Sequence, residues 1–201
     1  MKIESIIFDL GGVLVDWNPD YVYHTIFDRE EDLHRFYREI CTPAWNEEQD
    51  AGRTLREGTE MLIKQFPHEE KNIRVYYDRW QEMLRGPIEG TVDILKALKD
   101  SGKYKLYALT NWSHETFPVA LHKFDFLHWF DGRIVSGEEK IRKPFPEIYQ
   151  LIVKRYNIDP HTAVYIDDNE RNLTAPAAMG MQTIHFQSPG QLKEELELLF
   201  E

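Results

Sequence analysis

Apolar residues fall along this chain in two kinds of run, and the two kinds alternate. The first kind is short, β-branched or aromatic, and bounded by Gly, Asp or Asn. It comprises SIIFDL at 5–10, YKLYALT at 104–110, GRIVS at 132–136, AVYIDD at 163–168 and MQTIHF at 181–186. Runs of that length, apolar at successive positions, predict strands buried on both faces of a parallel sheet. The second kind recurs at helical spacing. EGTVDILKALKDSG places Val92, Leu95 and Leu98 on one face and stops near Gly102, and PEIYQLIVKRYN repeats Ile148, Leu151, Ile152 and Tyr156. ERNLTAPAAMG is shorter and ends at Gly180, and QLKEELELLF follows the last strand. Strand and helix in alternation predict an α/β fold, a doubly wound parallel sheet with right-handed crossovers.

The interval 17–86 breaks this rhythm. It holds no convincing strand, many charges, and the helix-like stretches EEDLHRFYREI, TLREGTEMLIKQF and NIRVYYDRWQEML, with NEEQDAGR reading as a turn between two of them. It is far longer than a crossover between neighbouring strands, whose usual form needs only a helix. The pattern predicts an α/β core of residues 1–16 and 87–201, with a helical cap of 17–86 inserted after the first strand.

Composition narrows the partners. The 201 residues include 35 acidic and 24 basic side chains, a formal net charge of −11. Nucleic acid and anionic membrane are bound through clustered Lys and Arg, so neither is expected as a partner. A small phosphorylated substrate stays compatible where a local cation offsets the charge. Cys41 is the single cysteine, which excludes an intrachain disulfide and a cysteine metal cluster. No apolar run approaches the roughly 20 residues that span a bilayer, and the first strand is too short for a signal peptide's apolar region. The expected location is cytoplasmic. The pattern specifies no oligomeric state, and the histidines form no metal-ligand pair.

Three strands end in polar groups: Asp9, Thr110-Asn111 and Asp167-Asp168. In open α/β sheets ligands sit outside the carboxyl ends of the strands, so these groups converge, and RKP at 142–144 adds Lys143 from a loop. Singly, each has an ordinary explanation: a strand-end Asp forms turns, a loop Lys is solvated, and an acidic pair caps a helix. Together they supply a chemistry. Paired carboxylates suit Mg²⁺, a carboxylate oxygen of Asp9 can attack phosphorus, and Thr110, Asn111 and Lys143 can hold phosphoryl oxygens. Gly11 and Gly12 are read as a tight turn that lets backbone approach phosphate.

The order FDLGGV, LTN, RKP, IDDN resembles the haloacid dehalogenase superfamily over nearly the whole chain, and the insertion resembles its small helical cap class. Within it the chain is similar to the branch holding the phosphatase domain of soluble epoxide hydrolase and the bacterial α-glucose-1-phosphate phosphatases. The resemblance implies Asp9 as nucleophile and Mg²⁺ ligand, the Gly11 carbonyl and Asp168 as further ligands, and Asp167 beside the metal, bound directly or through water. It implies phosphate contacts from Thr110, Asn111 and Lys143. Asn172 falls where some relatives place another acid.

One position departs. Many phosphatases of the superfamily carry at position 11 an Asp that serves as general acid and base; here it is Gly11, and such a group is worth about 10²–10⁴ in rate. A sugar 1-phosphate, whose leaving group needs little protonation, would tolerate the loss, and the α-glucose-1-phosphate phosphatases also have glycine there. Asp16 or His114 offers a substitute. The alternatives are phosphotransfer from a persistent aspartyl phosphate, metal-free 2-haloacid dehalogenase chemistry, and a silent phospho-ligand binder. The acidic pair 167–168 weighs against the metal-free route, because unpaired carboxylates beside Asp9 repel one another. The expected activity is Mg²⁺-dependent hydrolysis of a small phosphoester, sugar phosphates included. Trp17, Asn18 and Trp112 are expected to line the substrate pocket, with Trp45, Asn46, Asp50 and Arg53 as further cap candidates.

Overall fold

A computed structural model describes residues 2–200. The chain opens with β1 (Ser5–Phe8), then β2 (Val15–Trp17). The helices α1 (Asp20–Tyr23), α2 (Glu30–Glu39), α3 (Pro43–Asp50), α4 (Leu55–Gln65) and α5 (Glu70–Asp78) follow, and β3 (Leu84–Pro87) closes that segment. Next come α6 (Glu89–Ser101), β4 (Lys105–Thr110), α7 (Phe117–Lys123), β5 (Gly132–Val135), α8 (Ser136–Glu139) and α9 (Pro146–Tyr156). The last elements are β6 (Ala163–Asp167), α10 (Thr174–Ala178), β7 (Gln182–His185) and α11 (Pro189–Phe200).

β1 is central in a sheet of order β5-β4-β1-β6-β7, and every pairing in it is parallel. Alternate side chains serve two cores. Ile6, Phe8, Leu106, Ala108, Val164 and Ile166 pack with Leu95 of α6 and Leu192 of α11. Ile7, Tyr107, Leu109, Ile134 and Tyr165 pack with Ile148 and Ile152 of α9. Burial on both faces is why these strands read as unbroken apolar runs. Each large aliphatic side chain so enclosed contributes about 1.5–3 kcal/mol of transfer free energy. α6 stops where expected, on Gly102 at φ 63°, the left-handed cap that glycine adopts without strain. The doubly wound α/β architecture is therefore present as predicted.

The segment 17–86 differs from expectation in three places. Trp17 and Leu84–Pro87 are strands after all: β2 and β3 form a two-stranded antiparallel ribbon, with a register shift between Asp16 and Trp17. Strands of three and four residues are too short to show alternation, and Gly86 and Pro87 further mask the second. NEEQDAGR is not simply a turn, because residues up to Asp50 belong to α3. The Thr42 hydroxyl accepts the Trp45 N–H at 3.1 Å and Pro43 occupies the first turn, an N-terminal signal that the polar run obscures. NIRVYYDRWQEML is not one helix: α5 ends at Asp78, and a 3₁₀ turn at Trp80–Met83 leads into β3. In the α/β part, ERNLTAPAAMG likewise divides into a 3₁₀ turn at Glu170–Asn172 and α10. The helices between β2 and β3 share an aromatic core, in which Tyr23 meets Phe36 and Trp45 meets Tyr76, each pair 5.1 Å between centroids. Among the described residues no helix is long and apolar enough to cross a membrane.

Candidate active site

The three adjacent strands β4, β1 and β6 end at one edge of the sheet, and their polar termini meet there. Asp9 stays in the ladder, its N–H bonded to the Ile166 carbonyl at 2.8 Å, so its side chain is set by the sheet. The chain then turns tightly: the Leu10 carbonyl accepts from Leu14 and Val15 at 2.8 and 2.9 Å. Gly12 makes the turn, with φ 75°, and a Cβ there would stand 2.2 Å from Oδ2 of Asp168. Gly11 differs from what the sequence suggests. Its φ is not left-handed, and a Cβ on it would meet nothing within 4 Å. The two glycines are not equivalent, and only Gly12 has a steric need.

Lys143 is 1% exposed, and its ammonium lies 2.8 Å from Oδ2 of Asp9 and 2.7 Å from Oδ2 of Asp167. Asp167 is saturated. Oδ2 also accepts the Tyr165 hydroxyl at 2.5 Å, and Oδ1 accepts the Asn169 N–H and the Asn172 amide at 2.9 Å each. Its four donors fill a carboxylate's lone-pair sites. The Asn111 amide is engaged with the Lys143 backbone: it accepts the Lys143 N–H at 2.8 Å and donates to the Lys143 carbonyl at 3.0 Å. The Asn111 side chain thus locks the lysine's loop.

Charge in this cluster is unbalanced. Burial pushes the Asp9 carboxyl up to about 8; Lys143 opposes this, while Asp167 and Asp168 add to it. For Asp167 burial also acts upward, but the Lys143 ammonium and the Tyr165 and Asn169 donors outweigh it and hold the group below its ordinary value. Asp168 is raised, by burial first and then by Asp167. For Lys143 burial acts downward, and Asp167 and Asp9 overcome it, so the ammonium is strengthened. Three carboxylates therefore face one lysine.

Asp9, Asp167 and Asp168 offer oxygen atoms all within 4.8 Å of one another. An all-oxygen, net-negative set beside a glycine turn fits a hard divalent cation. The buried Thr110 hydroxyl has no hydrogen-bond partner, and neither does Oδ1 of Asn172. Asn172 carries an amide where an acid was considered, and the Asp167 bond occupies its nitrogen.

A cavity of about 570 Å³ lies over this edge, lined by Asp9, Gly11, Lys143 and Asp168 from one side and by Trp17, Asn18, Asn46, Glu47 and Asp50 from the other. Its size is within the usual range for small-molecule sites. A second, smaller recess shares Gly11, Trp17, Asn46, Asp50 and Asn111 as walls and adds Trp112 and Trp80. Of the expected pocket residues, Trp17 lines both spaces, Asn18 the larger and Trp112 the smaller, and the indole N–H groups of Trp17 and Trp112 are buried without partners among the described residues. Trp45 turns instead into the helical core and donates to the Gly58 carbonyl at 2.9 Å. Arg53 bonds Gln49 at 2.6 Å. Asp16, a candidate substitute acid, accepts the Tyr21 hydroxyl on both oxygens at 2.9 Å, and neither it nor His114 lines either space.

Sequence reasoning missed Tyr165, which lies inside a strand and signals only as core. It also missed a charged bridge: Glu47 of α3 is 3.0 Å from Arg142 and pairs closely with Arg171. Those three residues carry no motif, and Arg142 is notable only as the neighbour of Lys143.

A parallel α/β sheet with an acid-and-lysine cluster at the carboxyl ends of its strands defines a class, the open α/β folds whose ligand site lies at that edge. The family model described as haloacid dehalogenase-like hydrolase matches residues 3–180, and the chain belongs to that family. It is accordingly a hydrolase. It is 29% identical over 195 residues to the phosphorylated carbohydrates phosphatase of Thermotoga maritima, covering 91% of this chain and 84% of that protein. It is 27% identical over 200 residues to drimenol cyclase drtB of Aspergillus calidoustus, covering 98% of this chain but only 37% of that longer protein. A HAD family enzyme from Bacteroides thetaiotaomicron, solved as a magnesium complex, has the same fold. It is 22% identical, with TM-score 0.73 over 94% of this chain and 95% of that one.

Proposed function

We propose that the chain is a Mg²⁺-dependent phosphatase of small phosphoesters, with Asp9 as nucleophile. The observation that carries this reading is the charge cluster: Asp9 and the saturated Asp167 bridged by a fully buried Lys143, with Asp168 alongside. Asp9, Asp168 and the Gly11 carbonyl would hold the metal, and Asp167, its lone pairs filled, would stand beside it and fix Lys143. When bound, Mg²⁺ supplies Lewis-acid shielding of phosphoryl charge.

The protein's own groups then divide the work. Lys143 and the unpartnered Thr110 hydroxyl hold two phosphoryl oxygens. Asn111 positions the lysine loop and leaves its backbone N–H for the same anion. A carboxylate oxygen of Asp9 attacks phosphorus as the ester oxygen departs. Water then attacks phosphorus, the acyl-phosphate bond between the Asp9 oxygen and phosphorus breaks to restore the carboxylate, and the proton lost by water balances the one taken up by the departing ester oxygen. The helices of 17–86 act as a cap that excludes bulk water.

For the leaving group we favour a sugar. Trp17, Trp80 and Trp112 offer aromatic faces, two indole N–H groups lack partners, and Asn46 adds a polar contact. The likeness to a phosphatase of phosphorylated carbohydrates supports that choice. The test is release of inorganic phosphate from a panel of sugar and simple alkyl phosphates, with Mg²⁺ and then with EDTA, for wild type and Asp9→Asn. Metal-dependent release that the variant lacks is the expected result. Equal inactivity of both proteins would overturn the reading, and transfer to an added alcohol in place of water would make the enzyme a phosphotransferase.

A further inference from the structure

The cavity holds a carboxylic acid that the mechanism above leaves unused, at the place where position 11 leaves a gap. Gly11 has neither a left-handed backbone nor a neighbour within 4 Å of its would-be Cβ, so nothing structural requires glycine there. The space it leaves belongs to the two cavities that meet at the sheet edge, and Asp50, at the end of α3, lines both of them with Gly11. Among the described residues no other acidic side chain does so. Asp16 is held by Tyr21, Glu47 is spent on Arg142 and Arg171, and Asp20 lines only the larger space.

We propose that Asp50 of the cap is the general acid and base of this enzyme, reaching across the cavity to do what a side chain at position 11 does not. The inference rests on the phosphatase reading. The carboxyl is held in place by a chain of hydrogen bonds. The Asn46 amide donates to Oδ2 of Asp50 at 3.3 Å, and the Tyr77 hydroxyl donates to Oδ1 of Asn46 at 3.0 Å. Gln49 in turn donates to the Tyr77 oxygen at 2.8 Å, so three cap residues fix the direction in which Asp50 points. Oδ1 of Asp50 has no side-chain partner among the described residues.

Its surroundings also suit proton transfer near neutrality. Burial pushes the Asp50 carboxyl up to about 7, and Glu47 on the same helix acts in the same direction. Arg142 and Lys143 from the facing loop and the Ser113 N–H oppose the shift. Tyr76 and Tyr77 of α5 face it as neutral phenols, both held above their ordinary value by burial. In the first step the Asp9 oxygen bonds to phosphorus, the phosphorus–ester oxygen bond breaks, and the Asp50 proton passes to the departing oxygen. In the second, water attacks phosphorus, its proton returns to the Asp50 carboxylate, and the Asp9–phosphorus bond breaks to release phosphate. Protons and electrons balance over the cycle. Because α3 belongs to the cap, the acid is in place only when cap and core are closed together, which couples chemistry to closure.

Protonation matters in proportion to how poor the leaving group is, and that sets the test. Asp50→Asn is compared with wild type on an alkyl sugar phosphate and on p-nitrophenyl phosphate, whose leaving group needs no proton. The expected result is a loss of kcat of about 10²–10⁴ for the alkyl ester and much less for the aryl ester. With the alkyl ester, the wild-type fall in rate as pH rises past about 7 should also disappear from the variant's profile. Gly11→Asp, which the open space accommodates, should restore at least part of the alkyl-ester rate in the Asp50→Asn background. Equal losses on both esters, or a change in KM alone, would overturn the proposal and leave Asp50 as a binding residue. An active wild type, a dead Asp9→Asn and an unaffected Asp50→Asn would overturn this inference but not the phosphatase reading. A wild type inactive on every ester would overturn both.

Discussion

Lys143 holds two buried carboxylates together, and its removal should show in stability as well as rate. Lys143→Met leaves Asp9 and Asp167 facing each other with no counter-charge, a loss of about 3–5 kcal/mol for a broken buried pair. Urea unfolding should read that loss, and phosphate release should fall to background. Binding Mg²⁺ should return part of the stability, since the cation replaces the missing charge. The two glycines make a sharper pair. Gly12→Ala places a methyl 2.2 Å from an Asp168 oxygen at φ 75°, so it should cost about 1–3 kcal/mol of strain and displace Asp168. Gly11→Ala meets open space and should leave the melting temperature nearly unchanged. The sequence presents these neighbours as one motif. They separate only when Asp168, 156 positions after Gly12, is folded against one of them and not the other.

At the level of elements, legibility followed burial. β1, β4, β5, β6 and β7 are enclosed on both faces, so their apolar runs are unbroken and their ends are marked by the polar residues that form the site. Asp9, Thr110, Asn111, Asp167 and Asp168 were readable for the same reason, whereas Lys143 lies in a loop and was legible only through the RKP motif. β2 and β3 were not, because a ribbon of three or four residues is defined by a partner about 70 positions away and leaves no periodic trace. α3 was hidden by its polarity, and with it the contact its residues make across the cavity. Glu47 joins α3 to both Arg142 and Arg171, which ties α3 to the loop that carries Lys143. Glu47→Ala should lower kcat/KM about fivefold, the equivalent of about 1 kcal/mol for a partly buried ion pair, and the difference should narrow in high salt. The melting temperature should move little, because the helical core of Tyr23, Phe36, Trp45 and Tyr76 does not depend on Glu47.

Across the whole molecule a net charge of −11 surrounds a site that must accept an anion. Lys143 alone cannot offset Asp9, Asp167 and Asp168 together, so under the proposed function phosphoryl binding depends on a divalent cation at the sheet edge. Under the proposed mechanism, an Asp9-bound phosphoryl group should form only with that cation present. The most direct measurement is a rapid acid quench during turnover of a phosphoester radiolabelled in its phosphoryl group, followed by peptide mapping. Label is expected on the peptide containing Asp9 with Mg²⁺, none with EDTA, and none in Asp9→Asn. Turnover with no protein-bound label, label on another residue, or labelling that persists in EDTA would contradict it.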